Sequence, residues 1–279
     1  MKTLYMTDLD GTLLDNTASL NSNAVECLNS LIEQGLNFTY ATARSWTSAS
    51  KITKNLNLNL PVVTYNGAFI VNHSSGDIIR AFTLQNEKFT QMLSVIMELN
   101  LSPIVYTLID NVQRVMWAKN HETQAIRNYK KLRLGDKRFM AVGSLQELNQ
   151  GEVFYITIIG TQKELAPLAD IVKANTQYSS VYSKDIYSGD YWLEIYDNRA
   201  SKASGLEWMR NNYGITKTIC FGDNLNDLPM FKAADESYAV RNAVQALKLA
   251  ANGIIDSNEE NGVVEFIRAH FIKGEIANA

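Results

Sequence analysis

Apolar and polar positions along this 279-residue chain fall into two rhythms. Residues 3–7, 38–42 and 61–64 are short apolar or β-branched runs, which predicts buried strands. Between the first two, Val25, Leu28, Leu31 and Ile32 keep helical spacing behind a cap at Asn21 or Ser22, and Gly35 stops the helix. Residues 45–56 predict a second helix. This alternation predicts parallel strands joined by right-handed crossovers, an α/β doubly wound, Rossmann-like sheet. Residues 68–72 and 78–82 flank Ser74-Ser75-Gly76-Asp77 and predict a β-hairpin.

From about residue 84 to about residue 190 the rhythm changes. Helices at 87–99, 122–131 and 163–175 are interspersed with strands at 104–106, 114–118, 138–142, 153–159 and 180–183, the pattern of an inserted α+β domain with a mostly antiparallel sheet. The parallel-sheet grammar resumes at Trp192, with a strand at 193–196, a helix at 201–212 and a strand at 218–221. Helices at 228–233, 243–251 and 263–271, a short strand at 238–240 and a frayed end from about Lys273 complete the chain. The division expected is a core of 1–83 and 191–279, with an inserted α+β cap domain at 84–190.

Composition adds limits. With 46% hydrophobic and 20% charged residues the chain has the balance of a globular protein. Its net charge of −3 gives no bulk attraction to nucleic acid or anionic membrane, so neither is an expected partner, and no obligate protein partner is indicated. Cys27 and Cys220 sit in apolar contexts and read as buried free thiols. No basic-then-apolar leader precedes Asp8, and the longest apolar runs, such as 153–159, are too short to cross a bilayer; a cytoplasmic location is expected.

The chemistry collects where strands end. The first strand runs into Asp8-Leu9-Asp10-Gly11-Thr12-Leu13-Leu14, and the strand at 218–221 runs into Gly222-Asp223-Asn224-Leu225-Asn226-Asp227. At a strand's period of two, Asp8 and Asp10 leave the chain on one side, and carboxylates that close need a shared proton or a cation. An isolated Asp-x-Asp-Gly is most simply a turn. In a doubly wound sheet, however, active residues gather at the carboxyl ends of strands, and Asp8, Thr42 and Asn66 stand at three of them. Carboxylates from two strand ends, with a backbone carbonyl, make the oxygen shell Mg²⁺ prefers, usually shared with a phosphate. Asp8, the Asp10 carbonyl and Asp223 are the expected ligands. The Thr42 hydroxyl and Lys202 ammonium would serve a phosphoryl group, whose transfer depends chiefly on positioning and charge neutralisation.

These segments, taken in order with Thr42 and Lys202, resemble the four motifs of the haloacid dehalogenase superfamily, and the spacing resembles its Cof-type (type IIB) phosphatases. In that subgroup the cap is inserted between the second and third motifs, and Asn66-Gly67-Ala68 is similar to the segment that leads into it. The resemblance implies a Mg²⁺-dependent phosphatase of a small phosphorylated metabolite, a sugar phosphate by preference, with the cap as lid. It implies Asp8 as nucleophile forming an aspartyl-phosphate and Asp10 as general acid and base. Leu9, Thr42, Ala43, Lys202 and Asn226 would bind phosphate; Asp8, Asp10 and Asp223 would hold the metal, supported by Asp227. Ala43 and Ala203 stand where the family usually has glycine, which makes phosphate contact through the amide of residue 43 less secure than the Thr42 hydroxyl contact.

Two other activities share this pattern: a phosphomutase or phosphotransferase using the same intermediate, and a non-catalytic sensor of a phosphorylated ligand, which would not need both Asp8 and Asp10. A P-loop NTPase is disfavoured, since no GxxxxGK[ST] occurs. Arg44 is balanced between a surface ion pair and a role in the site. His73, His121 and His270 read as surface or packing residues. Tyr106, Trp117, Tyr191 and Trp192 are weak specificity candidates, since strand aromatics more often serve the core.

Overall fold

A computed structural model describes residues 2–184 and 189–278, with side chains to residue 271, so the loose end expected from about Lys273 lies outside the described side chains. The chain forms two compact units, Met1–Ala81 with Ala200–Ala279, and Phe82–Arg199.

The first unit opens with β1 (Thr3–Thr7), α1 (Ser22–Glu33), β2 (Asn37–Tyr40), α2 (Trp46–Thr53), β3 (Val62–Thr64), β4 (Phe69–Val71) and β5 (Ile78–Ala81). The second unit contains α3 (Asn86–Glu98), β6 (Pro103–Ile109), β7 (Val112–Ala118), α4 (Gln124–Lys131), β8 (Phe139–Val142), β9 (Glu152–Gly160), α5 (Gln162–Ala174), β10 (Tyr178–Lys184) and β11 (Tyr191–Asp197). The chain then returns to the first unit with α6 (Lys202–Tyr213), β12 (Lys217–Gly222), α7 (Leu228–Ala233), β13 (Glu236–Val240), α8 (Gln245–Ala250), β14 (Gly253–Ile255) and α9 (Gly262–Asn278).

The core sheet runs β14-β13-β12-β1-β2, all parallel. From β1 the chain steps outward to β2; from β12 it steps the opposite way to β13. Right-handed crossovers therefore place α1 and α7 on opposite faces, and accordingly α1 packs with α9 while α7 packs with α6 and α8. The direction of travel reverses between β1 and β12, which makes the carboxyl ends of these two strands the switch point where such sheets bind ligands. Both strands are buried along almost their whole length, as a strand covered on both faces must be.

Two expectations for the sheets are corrected. The run at 61–64 does not continue the core sheet as a full strand: β3 pairs antiparallel with β4 in a separate three-stranded sheet with β5, and keeps a single parallel bridge, Val63 to Ala41. The run at 193–196 does not restart the core. It lies within β11, which pairs antiparallel with β9 and β10 in the second unit, so that the chain re-enters the core unit at Ala200 instead of at residue 191. An apolar-polar alternation such as Leu193-Glu194-Ile195 suits either sheet, and the sequence carries no sign of the partner strand.

The second unit's sheet runs β10-β11-β9-β6-β7-β8, antiparallel except for β7 with β8. One face carries Val105, Met116, Ile156, Ile158, Leu193 and Ile195 in a single cluster with Phe89, Met92, Ile96 of α3 and Leu165, Leu168, Val172 of α5. The β6–β7 hairpin turns at Asp110-Asn111, both left-handed at φ 51° and 61°, the geometry a two-residue hairpin of native twist requires. Both cysteines are free thiols, Cys220 buried and Cys27 half-buried. No helix among the described residues is long and apolar enough to cross a membrane.

Candidate active site

β1 delivers Asp8 to the switch point. The Asp8 amide donates to the Phe221 carbonyl of β12 at 3.0 Å, so one hydrogen bond beyond the ladder of β1 ties the acid to the neighbouring strand end. The chain then leaves strand geometry and turns through Leu9–Leu13, with Gly11 at φ 73°. A Cβ at Gly11 would stand 2.7 Å from an Asp223 carboxylate oxygen, so this position must stay bare for the two acidic loops to meet.

Lys202 is the centre of the charge arrangement. Ser201 caps α6 and accepts from the Ser204 amide at 2.9 Å, which places Lys202 in the first turn. Its Nζ lies 2.7 Å from Asp8 Oδ1 and 2.6 Å from Asp227 Oδ1, with all three side chains buried. A cation at a helix N-terminus faces the unfavourable end of the dipole; here two carboxylates compensate. Burial opposes the Lys202 charge, but Asp227 and Asp8 outweigh it and hold the ammonium above its ordinary range. Asp227 has a second task, its Oδ2 accepting from the amides of Asp223 at 3.0 Å and Asn224 at 3.1 Å. It thereby fixes the loop that carries Asp223.

Asp8, Asp223 and Asp227 each offer a carboxylate oxygen, all within 4.8 Å of one another. Burial pushes Asp8 well above the usual carboxylate range; Lys202 pulls it down, and Asp227 and Asp223 push it up again. Burial, then Asp227, raises Asp223 to about 6, while Lys202, the Thr12 hydroxyl and a hydrogen bond with Asp8 pull the other way. Thr12 Oγ1 donates to Asp223 Oδ1 at 3.1 Å. Lys202 is committed to Asp8 and Asp227, so the Asp8–Asp223 edge is where negative charge exceeds positive, and the donors there are all oxygen. That chemistry fits a small hard cation.

Asp10 has different surroundings. Its carboxylate is exposed and held by a two-pronged pair with Arg44, Nε to Oδ2 at 2.7 Å and Nη2 to Oδ1 at 2.5 Å. Its side chain is not a member of the acidic cluster, and the alternation that put Asp8 and Asp10 in one setting does not survive the turn after Asp8. Arg44, left balanced by the sequence, is thus a structural neighbour of the acid pair. Its backbone amide also donates to Thr42 Oγ1 at 3.1 Å, which orients that buried hydroxyl.

Asn66 and Asn226 join the remaining loops, Asn226 Nδ2 donating to Asn66 Oδ1 at 3.1 Å. Tyr65, Asn66 and Gly67 are consecutive left-handed residues, at φ 50°, 53° and 99°. A Cβ at Gly67 would come within 2.1 Å of the Ser201 carbonyl oxygen, so Gly67 lets this turn press against the cap of the Lys202 helix. Asn66, expected at a strand end beside Asp8 and Thr42, is thus tied to the second acidic loop, a partner that the Asn-Gly pair after a strand does not reveal. Thr12 lies inside the first acidic segment without an expected role of its own, and Asn242, which donates to the Gly11 carbonyl at 2.7 Å, lies in an ordinary turn sequence with no signal at all. Ala43 and Ala203 both have negative φ, so the methyl groups that replace the usual glycines impose no left-handed strain. Leu9 is buried and Ala43 half-buried.

Residues 5–267 match the haloacid dehalogenase-like hydrolase family, and the chain belongs to that family. Among curated proteins it is 28% identical over 278 residues to the 5-amino-6-(5-phospho-D-ribitylamino)uracil phosphatase YitU of Bacillus subtilis, a match spanning 96% of this chain and 97% of that one. It is 24% identical over 269 residues to the pyridoxal phosphate phosphatase YbhA of Escherichia coli, spanning 95% and 97% of the two chains. Among solved structures it is similar to TM0651 from Thermotoga maritima, with a TM-score of 0.76 at 23% identity over 95% and 96% of the chains. It is also similar to the HAD subclass IIB sugar phosphatase BT4131, with a TM-score of 0.75 at 20% identity over 98% and 100%. The fold is therefore that of the subclass IIB enzymes.

Proposed function

We propose that this chain is a Mg²⁺-dependent phosphatase that hydrolyses a small phosphorylated metabolite through an aspartyl-phosphate on Asp8. The observation that carries the proposal is the buried Asp8 at the sheet's switch point, held 2.7 Å from Lys202 and clustered with Asp223 and Asp227. Membership of a hydrolase family and the phosphatase names of its relatives support the same reading.

In this mechanism an Asp8 carboxylate oxygen attacks phosphorus and the bond to the ester oxygen breaks. The leaving oxygen takes its proton from Asp10, which acts as the acid once it has left its two-pronged pair with Arg44 and carries a proton. Asp10, now ionised, removes a proton from water as that water attacks the phosphoryl group, freeing Asp8 and inorganic phosphate. Lys202 keeps Asp8 in line and neutralises charge beside the phosphoryl oxygens, with Thr42, Asn226 and the backbone at Leu9 and Ala43 as further phosphate contacts. Asp8, the Asp10 carbonyl and Asp223 would hold Mg²⁺, supported by Asp227; when bound it offsets the repulsion between the Asp8 anion and the phosphate. Substrate choice is assigned to the inserted unit, whose length allows many side chains to meet the organic part of a small ester.

The test is phosphate release across sugar, nucleotide, flavin and pyridoxal phosphates with Mg²⁺ present. Release from a subset of these esters is expected, with loss on exhaustive chelation and recovery when Mg²⁺ is restored. Activity that survives chelation contradicts the metal assignment, and no release from any ester contradicts the phosphatase reading.

A further inference from the structure

Two cations serve the acids at the strand ends of the first unit, and they are held in opposite ways. Lys202 is buried between Asp8 and Asp227, whose side chains are buried as well. Parting it from either would leave a charge unpaired away from water, so Lys202 is fixed in place. The pair of Arg44 with Asp10 is open by comparison, the two side chains being 25% and 48% exposed. An ion pair that water reaches on this scale adds little to stability, so the Arg44 guanidinium can exchange one anion for another at small cost.

The backbone beneath Arg44 is pinned at several points. The Thr42 carbonyl accepts from the Asn66 amide at 2.9 Å, and the Arg44 carbonyl from the Tyr65 amide at 3.0 Å. Ser45 then caps α2, accepting from the Ser48 amide at 3.2 Å. An exchange of partners at the guanidinium therefore needs movement of the side chain alone. The Thr42 hydroxyl accepts from the Arg44 amide at 3.1 Å and keeps its own proton to donate. One short loop thus presents a hydroxyl donor and a two-pronged cation, the set of donors that a phosphoryl group takes up best. Both prongs are spent on Asp10, each of whose carboxylate oxygens accepts from Arg44. The acid cannot turn toward a leaving oxygen while both of its oxygens are held.

We infer that Arg44 is a further phosphate-binding residue and a latch on Asp10: the phosphoryl group of the ester competes for the guanidinium, and the exchange that seats the phosphate releases Asp10 to the leaving oxygen. The inference rests on the phosphatase reading above. Lys202 cannot perform this exchange, because its two partners are buried with it. Arg44 can, because its partner is half exposed and a phosphoryl group offers the same two-pronged contact.

The experiment measures the affinity for inorganic phosphate by calorimetry, with Mg²⁺ present, in wild type, Arg44→Met, Arg44→Lys, Asp10→Asn and the double variant Arg44→Met/Asp10→Asn. Arg44→Met should bind phosphate at least about tenfold more weakly than wild type, with Arg44→Lys in between. Asp10→Asn should bind it about threefold more tightly or better, because the competitor for Arg44 is gone, and the double variant should show no such gain over Arg44→Met. Phosphate affinity unchanged by Arg44→Met overturns the inference. So does an equal gain from Asp10→Asn with and without Arg44, since a lost negative charge alone would then explain it. Should Arg44→Met not fold, Arg44→Lys and its double variant with Asp10→Asn carry the same comparison, the gain from Asp10→Asn being smaller beside lysine than beside arginine if Arg44 is the latch and equal if it is not. A wild type that binds phosphate but releases none from any ester contradicts the phosphatase reading, while the affinities still decide whether Arg44 takes the phosphate.

Discussion

Replacing Asp8 with Asn is expected to lower phosphate release by about 10⁴-fold or more while the protein remains folded. The amide keeps the shape of the side chain but cannot open the covalent route, and the other groups of the site provide no substitute for it. Folding should survive because the substitution removes a buried carboxylate that burial already disfavours, and Lys202 keeps its partner at Asp227, 2.6 Å away. Steady-state phosphate release and denaturant unfolding, run on the same preparation, check both halves. An Asp8→Asn protein with near wild-type turnover sinks the assignment of Asp8.

Replacing Lys202 with Met should cost about 3–5 kcal/mol of stability near neutral pH and abolish measurable turnover, since it strands two buried carboxylates without their cation. The pH dependence has a definite sign. In the wild type the Lys202 pKa is raised by folding, so its stabilising effect is complete below its ordinary value and is lost only in strongly alkaline solution. In the variant the stranded Asp8, already raised by burial, rises further. A carboxyl whose pKa is raised in the fold contributes stability at low pH that disappears as pH increases. The deficit of Lys202→Met should therefore be smaller at pH 5 than at pH 8, measured by denaturant unfolding at each pH. A deficit that grows on acidification contradicts the buried triad.

The parts of this site that could be read in the sequence are those that depend on local chemistry. A buried strand followed by Asp8-Leu9-Asp10-Gly11 and another followed by Gly222-Asp223 are visible because strand burial, turn residues and acids are contiguous. The alternation of strand and helix then places them at one sheet edge. What was not legible depends on partners distant in sequence. The separate surroundings of Asp8 and Asp10 arise from the turn through Leu9–Leu13 and from Arg44, 34 residues on from Asp10. The dual service of Asp227 to Lys202 and to two backbone amides could not be seen in a loop motif. Likewise β11 joins the inserted sheet because β9 is its partner, not because of anything in its own alternation.

The central claim is that Asp8 carries the phosphoryl group during turnover. The most direct measurement is rapid acid quenching of wild type with Mg²⁺ and a good ester on the millisecond scale, followed by digestion and mass spectrometry of the peptide containing Asp8. The account predicts a phosphoryl group on Asp8 that appears before steady-state release and is absent from Asp8→Asn. Phosphate release at the normal rate with no phosphoryl group on Asp8 at any quench time, or with the group on a different residue, would contradict it.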